Sequence, residues 1–242
     1  MGSLHKEKTM KDLIRIENPD VLIQEKKLEK KSFLLRSKRI WSTGIGIVGS
    51  SRGALGGIST IRKEVAFDLV KHKTGTHWIL TQLKHKATST MVSLFNIYAP
   101  VLISEKKQCW DSIAALASSL ALDNIILAGD LNLMLSSQER RGGSLVRGPS
   151  KEWVEDLIQD WDLLDIKPSK GLYTWTNKRL GLGHIAARLD RFLVQSSYLL
   201  LGLEASSKIL PSGASDHRPI SLELKEPSNQ GHIPFWFNPL WI

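Results

Sequence analysis

Residues 124–132 read NIILAGDLN, and this stretch sets the fold class. The apolar run Ile125–Ala128 is short and is closed by Gly129, so it reads as a strand buried on both faces. Its exit carries a carboxylate and an amide, Asp130 and Asn132. A buried strand that ends in such groups presents them at a rim, where connecting loops gather.

The neighbouring sequence repeats this arrangement. VLI at 21–23 stops at Gln24 and Glu25 and reads as a second buried strand with a carboxylate at its exit. HWILTQLKH at 77–85 and TMVSLFNIYAP at 90–100 read as successive strands, the latter closed by Pro100. YTWTN at 173–177 and ARLDRFLVQ at 187–195 read as strands joined by a Gly-rich loop. PISLELK at 219–225 alternates like a half-buried strand and follows the turn-like SGASDHR. Apolar residues recur at helical spacing over 8–17, stopped by Asn18–Pro19, over 105–121 (Trp110, Ile113, Leu116, Ala117, Leu120) and over 152–166 (Trp153, Leu157, Ile158, Trp161, Leu164). Residues 26–39 read as a basic loop with a short helix, and 136–150 as an exposed basic loop. The Gly- and Ser-rich stretch 41–61 leads into a strand and lacks the spacing of a phosphate-cradling loop. Strands mixed with separated helices predict an α/β domain over 1–225, with one or two mixed sheets and helices outside, followed by a linker-like tail at 226–242.

With 42% hydrophobic and 24% charged residues over 242 positions, the chain can bury one sizeable core. Lys and Arg number 33 against 24 Asp and Glu, a formal +9, which favours a polyanionic partner. A solubilising surface charge is the plainer alternative. Cys109 is the single cysteine, so neither an internal disulfide nor a thiolate metal cluster is expected, nor a disulfide-linked partner. The first residues, MGSLHKEKTMKDLIRIE, carry no apolar leader, and Lys6 stands where an N-myristoylation motif wants Ser or Thr. No apolar run suits a membrane span. The expectation is a soluble, intracellular protein with no membrane partner; a nuclear location is compatible with the sequence and not dictated by it.

Three acidic groups stand at strand boundaries: Glu25, Asp130 with Asn132, and Asp216 with His217. A hard divalent cation is held by one or two carboxylates plus water and substrate phosphate. Phosphodiester hydrolysis also needs a base for water and positive charge on the phosphate. An Asp, an amide and a His meet those needs together. Taken singly, each has a structural reading. Glu25 can be a solvated strand-end carboxylate, and Asp130 with Asn132 an Asx-type turn. Asp216 and His217 can cap a turn, Asp190 can pair with Arg188 or Arg191, and Tyr98 can simply pack.

The runs IQEKK (23–27), NIYAP (96–100), ILAGDLN (126–132), RLDRFLV (188–194) and SDHRPISLEL (215–224) resemble, in order and approximate spacing, the endonuclease/exonuclease/phosphatase superfamily. YTWTN before RLDRFLV, ERRGG at 139–143 and the closing FWFNPLWI are similar to the endonuclease domain of plant non-LTR (LINE-type) retrotransposon polyproteins. The resemblance covers about residues 10–242. It implies a four-layered α/β sandwich with two mixed β-sheets face to face and flanked by helices. It implies Mg2+, or Mn2+ in its place, as cofactor, DNA as substrate, and a reverse transcriptase module in the parent polyprotein. By motif, Glu25 would be a metal ligand and Asp216 would complete the metal-binding acidic cluster. Tyr98 would contact the scissile phosphate, Asp130 would position or activate water, and Asn132 would orient Asp130. His217 would stabilise charge on the phosphate, held by Asp190. Two features depart from the family pattern. The family begins with a strand carrying an Asn, whereas this sequence starts in the helix that follows, so the first strand is expected to be missing. Lys26 also stands where Thr or Ser is common.

The leading expectation is therefore Mg2+-dependent DNA nicking that leaves a 3′-hydroxyl. Arg140, Arg141, Arg147, Lys178, Arg179 and Arg188 would track DNA phosphates. Trp175 reads as a core residue or a stacking platform. The alternatives are a catalytically inactive truncated remnant that at most binds nucleic acid weakly, and a phosphatase acting on a small phosphorylated substrate.

Overall fold

Side chains alternate along a β-strand, so a strand buried on both faces feeds two separate cores. The computed structural model describes residues 2–26, 38–49, 57–143, 150–200, 202–211 and 215–226. Its central element is a six-stranded sheet in the order β4 (Phe67–Thr74), β5 (Trp78–His85), β6 (Met91–Tyr98), β7 (Ile125–Asp130), β12 (Asp190–Gln195) and β9 (Leu163–Asp165). β6 and β7 run parallel and the remaining pairs antiparallel, so the sheet is mixed. On one face Phe95, Ile97, Leu127 and Leu193 pack with Trp110, Ile113 and Ala117 of α2 (Ile103–Leu120) and Val154 and Leu157 of α3 (Ser150–Asp160). The residues between them, Leu94, Ile126, Ala128, Phe192 and Val194, form a second core on the other face.

That second core is covered by two antiparallel pieces. One is β1 (Val21–Lys26), β3 (Gly57–Lys63) and β2 (Gly44–Gly49), in the order β1-β3-β2; the other pairs β13 (Glu204–Ile209) with β14 (Ile220–Lys225). Val21 and Ile23 of β1 and Ile220, Leu222 and Leu224 of β14 point into it. Ile14 of helix α1 (Gly2–Glu17) packs with Leu22, Trp41, Val48 and Ile61 on the far side. Helix, sheet, sheet and helix give the four-layered sandwich that the sequence resemblance implies. The second layer differs in being two antiparallel pieces among the described residues, where a mixed sheet was expected. β1 and β14 each pair on one side only among those residues.

Three strands lack a sequence pattern that marks them. β2 reads GIGIVG, and Gly44 lets it lie close to Trp41 and Ile61, where a side chain would collide. β4 reads FDLVKHKT and is a solvated edge strand, for which Lys and His are suitable. β13 reads EASSKI and is half polar, its side away from β14 meeting, among the described residues, only the 168–169 segment, where the Ser169 amide donates to the Ser207 carbonyl. The helix expected over 152–166 stops at Asp160. Asp162 adopts the left-handed region (φ 51°), and Leu163–Asp165 then pairs with β12 as β9. The loop expected at 136–150 contains a short strand, β8 (Arg140–Arg141), and the buried Glu139. β8 joins β10 (Trp175–Thr176) and β11 (Ala186–Ala187) in a small sheet ordered β10-β11-β8. The predicted 187–195 strand is thus divided into β11 and β12, with Arg188 between them.

Candidate active site

Three adjacent strands of the central sheet present one row of polar residues. Register pairs Tyr98 of β6 with Asp130 of β7, and Asp130 with Asp190 of β12. Directly paired residues project to the same side of a sheet. Their parity with Leu94, Ile126 and Phe192 sets that side as the one facing β1 and β14. Gly129 makes the β6–β7 approach feasible: its φ is +126°, and a Cβ there would overlap the Ile97 carbonyl oxygen.

Asp130 is 3% exposed. Asn132 turns back over it in the left-handed region, φ 47°. The Asn132 amide donates to Asp130 Oδ1 (3.0 Å), and its Nδ2 donates to the Ala99 carbonyl (2.6 Å) and to Asp130 Oδ2 (3.3 Å). This is an Asx-type turn, and it also fixes the carboxylate. Burial pushes the Asp130 carboxyl up to about 6; repulsion from Asp190 adds to this, while His217, the Asn132 amide and Lys106 oppose it. A carboxyl in that range can exchange protons near neutral pH.

His217 reaches the row from the segment before β14. Its Nδ1 lies 2.9 Å from Asp190 Oδ2 and 3.2 Å from Oδ1. An ionised carboxylate only accepts, so Nδ1 carries the proton in this pair. Nε2 lies 3.9 Å from Asp130 Oδ2, within Coulomb reach but beyond a hydrogen bond. The segment itself is pinned to β10. The Thr176 amide donates to the Asp216 carbonyl (3.1 Å), the Arg218 amide donates to the Thr174 carbonyl (2.7 Å), and Trp175 bridges His217. Thr174 Oγ1 accepts the Leu189 and Asp190 amides (3.0 Å each), which fixes the start of β12.

Asp216 is exposed and accepts the Trp175 indole N–H at 3.3 Å. Its partial burial, which raises its pKa, is outweighed by its own backbone N–H, His217, Trp175 and Lys178, so it stays below the usual carboxylate value. Glu25 is the penultimate residue of β1, opposite Ile58, and β1 packs against β7. The Glu25 side chain lies outside the described residues. Among those residues no group of three or more His, Cys, Asp or Glu side chains is preassembled for a metal. An exposed, ionised carboxylate such as Asp216 fits a hard cation that keeps water and phosphate in its shell; with His217 engaged by Asp190, it does not fit a closed nitrogen or sulfur cage.

The basic residues separate into two groups. Arg141, Lys178 and Arg179 are exposed and Arg140 is half-buried, all on or beside the small sheet that holds Trp175 next to His217. Arg147 lies outside the described residues. Arg188 corrects the sequence expectation: it is 0% exposed and cannot track DNA phosphates. It forks onto Asp165 with two 2.6 Å bonds and meets Glu139 Oε1 at 2.9 Å. Arg191, also buried, donates to Glu139 Oε2 (2.8 Å), Asp165 Oδ2 (3.1 Å) and the Leu133 carbonyl (2.7 Å). Two guanidinium and two carboxylate groups thus balance inside the protein, and Asp190 is left for His217. Sequence reasoning missed Thr174 and Lys106 and undervalued Trp175. Lys106 had a signal, because it stands four residues before Trp110 on the buried stripe of α2.

No family model matches the sequence. The Transposon TX1 uncharacterized 149 kDa protein of Xenopus laevis is 26% identical over 161 residues, which is 65% of this chain and 12% of that protein, so the chain spans a small part of that relative. An endonuclease/exonuclease/phosphatase family protein from Bacteroides thetaiotaomicron superposes with a TM-score of 0.65 at 13% identity, over 90% of this chain and 88% of the other. The 3′-5′ exonuclease NExo of Neisseria meningitidis gives 0.66 at 17%, over 91% and 95%. D. rerio TDP2, solved with a single strand DNA product, gives 0.65 at 14%, over 91% of each chain. The chain has the endonuclease/exonuclease/phosphatase fold.

Proposed function

We propose that this chain is a divalent-metal-dependent phosphodiesterase that nicks DNA in the manner of retrotransposon endonucleases. The observation that carries the reading is the meeting of Asp130, Asn132, Asp190 and His217 at the ends of β7 and β12, with Asp216 beside them on the segment pinned to β10. Asp130, with its carboxyl near 6, accepts the proton of the attacking water, and Asn132 holds it in orientation. Asp190 fixes the His217 ring so that Nε2 faces the phosphate and stabilises the negative charge that builds there. Tyr98, next to Asp130 in register, contacts a phosphate oxygen. Water attacks phosphorus, the P–O3′ bond breaks, and the products are a 3′-hydroxyl and a 5′-phosphate. Asp216 with Glu25 would hold Mg2+ or Mn2+, which when bound supplies positive charge to the phosphate oxygens.

Arg140, Arg141, Lys178 and Arg179 contact the flanking phosphates, and Arg147, from the same basic stretch of sequence, takes the same role. The β10–β11 loop also carries Leu180 and Leu182, both fully exposed and beside two cations, a combination suited to pressing apolar groups into a DNA groove. The transposon relative, a 149 kDa protein, supports DNA as substrate and a longer parent polyprotein; the partner we propose there, a reverse transcriptase module, rests on the sequence resemblance. A second reading, an inactive remnant, is favoured by β1 and β14, each paired on one side only among the described residues, and by the half-buried apolar residues they carry. Incubating supercoiled plasmid with the chain and Mg2+, then extending the nicks with a polymerase, tests the proposal. Extendable nicks support it. Salt-sensitive binding without nicks favours the remnant, and inorganic phosphate release from small phosphomonoesters would point to a phosphatase.

A further inference from the structure

The buried stripe of α2 runs Lys106, Trp110, Ile113 and Ala117. Its first member is a lysine only 7% exposed. Burial holds the Lys106 pKa below the usual lysine value, and the Asp130 carboxylate draws it partly back. A buried ammonium is costly where an apolar side chain of the same length would pack freely, so its position calls for a use. Its Nζ donates to the Asn132 carbonyl at 2.7 Å. Asn132 is the residue whose left-handed backbone brings its amide onto Asp130 Oδ1 and its side chain onto Oδ2 and the Ala99 carbonyl. Lys106 therefore ties α2 to the exits of both β6 and β7. Among the described residues, the charged groups that also face Asp130 include Asp190 from β12 and His217 from the segment before β14.

We infer that Lys106 is a positioning residue for Asp130, holding the Asn132 turn from beneath while its charge lies within reach of the carboxylate. The kinetic consequence rests on the phosphodiesterase reading; the structural one does not. Without the ammonium, the Asn132 carbonyl loses its donor, the left-handed turn loosens and Asp130 loses its orientation. The full chain and its Lys106→Met and Lys106→Arg variants are compared by thermal melting, amide hydrogen exchange at Asn132, and Mg2+-dependent plasmid nicking. Lys106→Met should melt cooperatively, exchange the Asn132 amide at least about 10-fold faster, and lower kcat about 10-fold with KM within about twofold, as expected for losing a bond to a charged donor. Lys106→Arg should recover a large part of both. An unchanged Asn132 exchange rate in Lys106→Met, or equal impairment in Met and Arg, overturns the inference. If the Met variant does not fold, Lys106→Arg decides: Asn132 protection near wild type supports the inference and its collapse rejects it. If the wild type does not nick, the phosphodiesterase reading fails, and amide exchange alone decides the role of Lys106.

Discussion

Asp130→Asn should stabilise the fold at neutral pH while removing the proposed base. The Asp130 carboxyl rises from an ordinary 3.8 to about 6 in the folded protein. Two units correspond to at most about 3 kcal/mol, because each unit is worth about 1.4 kcal/mol. The direction follows from proton uptake. The folded state holds the Asp130 proton more tightly than the unfolded state, so an ionised Asp130 opposes folding in full above about pH 6. That opposition fades as pH falls from about 6 and is gone below 3.8, where both states are protonated. Asparagine removes the charge but loses the attraction of His217 and Lys106 and turns an N–H2 towards the Asn132 side chain, so the net gain should be about 1–2 kcal/mol. Urea unfolding of both proteins at pH 7.5 and pH 4 measures it. The variant should be the more stable protein at the higher pH, and the gap should close at the lower one. A variant less stable than wild type at pH 7.5, or a gap independent of pH, would refute the reasoning.

Other expectations follow from the same geometry. Glu139→Gln leaves two buried guanidinium groups with one full carboxylate partner, and urea unfolding should show a loss of about 3–5 kcal/mol; a loss below about 1 kcal/mol would mean the cluster is not coupled as drawn. Arg141→Ala, Lys178→Ala and Arg179→Ala should each lower the slope of log DNA affinity against log salt by about 1, measured by fluorescence anisotropy, and unchanged slopes would remove these residues from the interface. If Asp130 is the base, kcat/KM for nicking should rise with pH through an inflection near about 6. A flat profile from pH 5 to 8 would exclude it.

Much of the site was legible because its polar residues interrupt strong apolar runs. Asp130 closes and Asp190 opens a strand whose apolar run is plain, so their meeting follows once β7 and β12 pair. The Asp190–His217 contact could only be suspected, since it depends on how 215–218 is pinned to β10. Arg188 shows where sequence reading fails. An arginine in a basic chain beside a Gly-rich loop looks solvent-facing, and its burial is set by Glu139 and Asp165, residues 49 and 23 positions away. The polar strands β4 and β13 were silent for a different reason: most of their side chains face solvent, β4 burying none fully and β13 only Ser207, so no apolar run marks them. Asp162 ended a helix whose apolar stripe ran on into Leu163 and Leu164, since strand and helix patterns overlap over so few residues.

The central claim is that one cluster of side chains carries metal-dependent strand cleavage. Supercoiled plasmid should be incubated with wild type, Asp216→Ala and His217→Ala in Mg2+, with EDTA as control. The account predicts EDTA-sensitive nicking by wild type, reduced at least about 100-fold in both variants while their melting temperatures hold. Nicking by either variant at the wild-type rate, or nicking indifferent to EDTA, would contradict it.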